Sequence, residues 1–106
     1  MFTNKRYTAY NIKGDAVWSR VPVHPGEILK EEIEARGVKK NFVAQKMGIT
    51  PGNLSDLLAG RRNVTAEMAL KIEGATGINA EFWLRAQNRH DLTIVRNRHE
   101  DENTSV

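Results

Sequence analysis

The sequence predicts an all-α domain of five short helices, preceded by an N-terminal arm and followed by a flexible C-terminal tail. Three observations point there. Between residues 25 and 91, apolar residues recur at helical rather than alternating spacing. Gly37, Gly48, Gly60 and Gly77 punctuate that stretch, each just after an apolar stripe. Pro25, Thr50-Pro51, Thr65 and Asn79 supply the matching helix starts.

The elements follow in chain order. Residues 1–23 form the arm. Within it, Tyr7–Ile12 and Ala16–Val21 carry aromatic and β-branched residues around a Lys13-Gly14-Asp15 turn. That pattern suits a short hairpin or a flexible arm, because a lone two-stranded hairpin is marginal in water. The helical domain spans 24–92. Its first helix opens at Pro25, places Glu27 in the first turn and carries Ile28, Leu29 and Ile33 on one face up to Gly37. The second runs over Lys40–Met47, with Val43, Ala44 and Met47 inward. Thr50 caps the third, whose Leu54, Leu57 and Leu58 make an i, i+3, i+4 face before Gly60. Thr65 caps the fourth, with Ala69, Leu70, Ile72 and Ala75 as its apolar contacts. Asn79 caps the fifth, with Phe82, Trp83 and Ala86 available to the core and an end near Asp91. Phe82 belongs in the core, and Trp83 in the core or a dimer contact. Residues 93–106 form the tail.

Composition narrows the function. A chain of 106 residues and 12.0 kDa holds one small domain. The absence of cysteine excludes disulfides, thiolate-bound zinc, iron–sulfur clusters and a cysteine nucleophile. No apolar run nears the roughly 18 residues that span a bilayer, and no secretory h-region opens the chain. The expectation is a cytoplasmic protein. His24-Pro25-Gly26-Glu27 reads as a helix entry, since one His and one Glu make a poor metal site. His90-Asp91 reads as two polar surface residues, with no nucleophile tied to them. No catalytic, metal or cofactor site can be assembled, so the expectation is not an enzyme.

Net charge alone fits a polyanionic partner and a soluble domain that happens to be basic about equally, and its position along the chain is more informative than its total. The net charge is +3 and the pI about 9.5. Residues 25–36 are acidic, whereas 39–64 carry Lys39, Lys40, Lys46, Arg61 and Arg62 against Asp56 alone. If the chain touches nucleic acid, this block carries much of the contact. The second and third helices lie inside it. They are joined by Met47-Gly48-Ile49-Thr50, with Gly48 for a sharp turn, Ala44 for close approach and Ile49 to plug the corner. That is the logic of a helix-turn-helix, whose second helix enters the major groove.

At these residues the chain resembles a known family. Val43-Ala44-x-x-Met47-Gly48-Ile49-Thr50 and Leu54-Ser55-x-x-Leu58-x-Gly60 resemble the helix-turn-helix of phage Cro and repressor proteins, the XRE family. His24-Pro25-Gly26-Glu27-Ile28-Leu29, Leu58-Ala59-Gly60-Arg61-Arg62 and Ala80-Glu81-Phe82-Trp83-Leu84-x-x-Gln87-x-x-x-Asp91-Leu92 narrow it to HigA-type antitoxins. The resemblance covers about residues 22–92. It implies a five-helix XRE/Cro-repressor-like domain without a cofactor. It also implies a homodimer that neutralises a HigB/RelE-like mRNA-cleaving toxin and binds operator DNA to repress its own operon. A stand-alone regulator without a toxin, and a protein-only antitoxin that has lost DNA binding, are the alternatives.

The resemblance also places the contacts. Base-reading positions fall on Pro51, Gly52, Asn53 and Asp56. Pro51 and Gly52 offer no side-chain donor. Asn53 can pair with adenine through two hydrogen bonds, Ser55 can reach a base or phosphate, and Asp56 can accept from cytosine but repels phosphate. Asn53 and Ser55 are otherwise the solvated face of a short helix. Arg61 and Arg62, after the third helix, and Lys40, at the start of the second, suit phosphates. Thr50 is first a cap, with a hydroxyl that can also read. Tyr7, Tyr10 and Trp18 either cover the domain or anchor the toxin.

Overall fold

The structure is a computed structural model that describes residues 21–104. Tyr7, Tyr10 and Trp18, with the hairpin or arm they belong to, lie outside the described residues. Five helices follow in order: α1 (Pro25–Arg36), α2 (Lys40–Met47), α3 (Pro51–Leu58), α4 (Ala66–Thr76) and α5 (Ala80–Thr104). Among the described residues there is no strand.

Local chemistry sets the starts. His24 caps α1: its Nδ1 accepts the Gly26 N–H at 2.9 Å, and the Glu27 carboxylate accepts the His24 N–H at 3.1 Å. This is a capping box with an imidazole where a hydroxyl is customary. Thr50 caps α3 by accepting the Asn53 N–H at 3.1 Å, and Thr65 caps α4 by accepting that of Met68 at 3.2 Å. The α2–α3 turn depends on Gly48, which sits at φ 72° while the Ile49 N–H returns to the Ala44 carbonyl at 3.0 Å. A side chain there would be strained in this left-handed conformation.

Every helix contributes to one core. Leu29 and Ile33 of α1 meet Leu54, Leu57 and Leu58 of α3, while Val43, Ala44 and Met47 of α2 lie between α3 and α4. Ala69 and Ile72 of α4 and Trp83 of α5 complete it, with Val64 buried just before α4. Trp83 is fully buried and donates its indole N–H to the Ile78 carbonyl at 3.2 Å. Of the two places expected for it, the core is the one it takes. Phe82 is only half-buried, edge-on to Trp83. At the far end of α1, Arg36 pairs with Glu32 and donates to the Thr76 carbonyl at 2.8 Å, tying α1 to the C-terminus of α4.

Three features depart from expectation. The fifth helix does not end near Asp91 but runs on to Thr104, through the stretch expected as a tail. No proline or glycine interrupts residues 80–104, and Thr93 is buried with its hydroxyl donating to the Arg89 carbonyl at 2.7 Å. Leu70, expected among the apolar contacts of α4, is 62% exposed, because Ala69 and Ile72 already fill that helix's inward face. His90 and Asp91, expected as polar surface residues, join a hydrogen-bonded cluster. Asp91 accepts from Gln87 at 2.9 Å and pairs with His90 at 3.0 Å, and the His90 ring stands edge-on to the buried His24 at 4.9 Å. No helix among the described residues is long and apolar enough to cross a membrane.

Candidate nucleic-acid interface

The close approach of α1 to α3 fixes the orientation of the candidate reading helix. Gly26 lies against the Leu57 carbonyl so tightly that a Cβ there would come within 1.9 Å of the oxygen. Only a glycine lets the two backbones meet this way. Three apolar residues, Leu54, Leu57 and Leu58, pin α3 from the core side. The opposite face therefore looks outward: Pro51, Gly52 and Ser55 are exposed, and Asn53 and Asp56 are half-buried.

The expected contact residues fall into three groups. Thr50 is committed to capping, so its hydroxyl already serves the Asn53 amide. Asn53 and Ser55 stand in the first two turns of α3, where helix-turn-helix proteins reach base edges. Asp56 and Arg61 are brought together. The guanidinium donates to Asp56 Oδ1 through Nε at 3.1 Å and Nη2 at 2.9 Å. Both side chains are open to solvent, so the pair adds little stability, about 0–1 kcal/mol. Its consequence is geometric. Asp56 aims Arg61 and offsets its charge, while Nη1 remains for another acceptor. Arg62 is exposed beside it.

Lys40 is the first residue of α2, and the structure adds a reason for its placement. The N-cap is Lys39, which makes no side-chain cap, and the first turn holds no acidic residue. Two cations therefore sit at the positive end of a helix dipole, an arrangement that a phosphate would relieve. Lys39 was legible in the sequence as part of the basic block; the missing cap is the signal that sets it apart.

Sequence reasoning did not single out Gln87. It is buried on α5, and its side-chain oxygen accepts the Val64 N–H at 2.6 Å, in the loop that carries Arg61 and Arg62. Its place in the Leu84-x-x-Gln87 stretch was visible, but its partner was not.

Comparisons with known proteins match the helical part of the chain. The helix-turn-helix family profile matches residues 29–83, from within α1 to the first turn of α5. The antitoxin HigA-1 of Vibrio cholerae is 39% identical over 84 residues, covering 78% of this chain and 79% of its own length. Virulence-associated protein A' of Dichelobacter nodosus is 35% identical over 70% of this chain, which spans 65% of that relative. Among solved structures, the antitoxin GraA in complex with its operator superposes with a TM-score of 0.69 at 34% identity, over 80% of this chain and 87% of that one.

Proposed function

Because this chain belongs to the helix-turn-helix family, in its branch of HigA-type antitoxins, we propose that it binds operator DNA through α3, represses its own operon, and neutralises a HigB/RelE-like mRNA-cleaving toxin. The observation that carries the DNA half is the outward face of α3, with Arg61 and Arg62 exposed just beyond its C-terminal end; the lysine-bearing start of α2, which has no side-chain cap, adds positive charge. A relative of this fold, GraA, has been solved with its operator. The toxin half rests on the similarity to HigA-1.

The division of labour follows from side-chain chemistry. Asn53 forms the paired hydrogen bonds to an adenine edge, and Ser55 supplies a shorter contact. Pro51 and Gly52 bring the helix backbone close to the groove without reading it. Lys40, Arg61 and Arg62 neutralise phosphates and set the register. With so few readers, sequence-dependent DNA shape supplies part of the selectivity. As a homodimer, the protein would meet half-sites about 34 Å apart, or a multiple of that. Tyr7, Tyr10 and Trp18 are the candidate toxin anchors.

Two experiments test the halves separately. Changing Arg61 and Arg62 together to Ala should weaken operator binding while the helical signal and melting point hold; unchanged affinity would contradict the placement of the DNA surface. Co-expression with the neighbouring toxin gene should restore growth, and failure by a soluble, folded protein would contradict the antitoxin half.

A further inference from the structure

Gln87 makes a set of contacts that core packing alone does not require. It is 5% exposed, and an amide that deep must be bonded to be tolerated. Its Oε1 accepts the buried Val64 N–H at 2.6 Å. Its Nε2 donates to Asp91 Oδ1 at 2.9 Å and to Asn63 Oδ1 at 3.4 Å. Asp91 is held in turn by His90, whose ring meets the imidazole of His24. The same His24 ring lies under Gly60, so that a Cβ on that glycine would be 3.5 Å away. The loop from Gly60 to Val64 is therefore held at both ends: by His24 under Gly60, and by Gln87 at Asn63 and Val64. Between those two points stand Arg61 and Arg62.

We infer that Gln87 is a positioning residue for DNA binding: from α5 it anchors the Val64 backbone amide, with a longer contact to the Asn63 side chain, and so holds Arg61 and Arg62 where they meet phosphate. Asp91 is its support, because an amide that donates to a fixed carboxylate cannot flip and present Nε2 to the Val64 N–H. This rests on the DNA-binding reading above, and extends it to a helix that does not itself touch DNA. The device is rigid. Loss of the amide leaves the arginines in place along the chain but frees the segment that aims them.

The test is a salt-dependent titration of the full chain against its own upstream DNA and a scrambled control. It compares wild type, Gln87→Met, Asp91→Ala, and Arg61→Ala/Arg62→Ala with and without Gln87→Met. Met keeps the volume of Gln and loses all of its hydrogen bonds, and Asp91 is exposed enough that its removal spares folding. At a temperature where the helical signal is intact, Gln87→Met should weaken upstream binding about tenfold. It should also lower the salt slope by about one unit, as the loss of one phosphate contact does. Asp91→Ala should move both readouts the same way by less. Added to the double arginine variant, Gln87→Met should cost nothing more, since the groups it positions are already gone. Should Gln87→Met fail to fold, Asp91→Ala and its combination with the arginine variant give the same answer. If the arginine variant loses affinity while Gln87→Met and Asp91→Ala bind with wild-type affinity and slope, or if the losses simply add, the positioning role is overturned and the DNA reading stands. If wild type shows no preference for its upstream DNA, it is the DNA reading that fails, and this inference with it.

Discussion

Replacing Gly26 by Ala tests the contact that sets α3 against α1. The new Cβ would lie 1.9 Å from the Leu57 oxygen, 2.9 Å from its carbon and 3.1 Å from His24 Nδ1. Ordinary carbon–oxygen contacts begin near 3.3 Å, so the two helices must part by roughly 1.4 Å. Neither clashing partner at Leu57 is a side chain that can turn away. Overpacking of this kind costs about 1–3 kcal/mol. The same shift pulls the Gly26 N–H away from His24 Nδ1, and losing that cap adds about 1 kcal/mol. The sum, about 2–4 kcal/mol, lowers the melting temperature by roughly 8–32 °C for a domain of this size. Gly74→Ala is the control, at an exposed site inside α4 with nothing within 4 Å of the new Cβ. It should stabilise by about 0.4–1 kcal/mol. Urea melts followed by helical circular dichroism measure both. If Gly26→Ala melts within 1 kcal/mol of wild type (about 4–8 °C), the helices are not as closely apposed as the geometry requires.

Other expectations concern the core, the histidine and the charges. Trp83→Ala should cost about 3–5 kcal/mol by cavity formation; a loss below 1 kcal/mol on the same melts would contradict its full burial. Stability should fall as the pH is lowered. Burial first, and then the nearby His90, hold His24 below the ordinary histidine value of about 6.5, against the pull of Glu27, Asp91 and the Arg62 backbone. The folded state then binds fewer protons than the unfolded one. Its stability is full above about pH 6.5 and is lost as pH falls through the folded value. Urea melts between pH 7.5 and 5 should show a slope that His24→Asn, a neutral cap, removes; the same slope in that variant would rule out His24 as its source. Asp56→Asn removes an anion from the face of α3 and should raise affinity for scrambled DNA by about 3- to 10-fold while steepening its salt dependence. A drop in that affinity would mean that aiming Arg61 outweighs the repulsion.

Much of this architecture was legible because it is local. Pro25, Thr50-Pro51 and Thr65 marked helix starts through the chemistry of the first turn, and Gly48 marked the sharp turn through backbone sterics. Those signals need only a few neighbouring residues. The C-terminal half of α5 carried no such signal. Arg96, Asn97, Arg98, His99 and Glu100 form no apolar stripe, so the periodicity fades although nothing breaks the helix. Leu70 shows the converse, an apolar residue at helical spacing whose neighbours had already filled the core.

The side-chain pairings around the candidate interface were less legible than the helices. Arg61 and Asp56 are five apart across a helix end, a spacing at which no simple rule pairs charges. His24 was readable as a helix entry, yet its burial against His90 depends on how α5 crosses α1. Gln87 and Val64 meet only because α5 returns past the loop after α3. Sequence patterns report which face of an element is apolar; they do not report which buried polar group will find which backbone amide.

The most direct measurement is a titration of the purified protein against its own upstream DNA and a scrambled sequence across a range of salt concentrations. Binding should be selective for the upstream DNA and weaken steeply with salt, with about one unit of slope lost for each of Lys40, Arg61 and Arg62 changed to Ala. Equal affinity for the two DNAs at every salt concentration would contradict the operator-binding proposal.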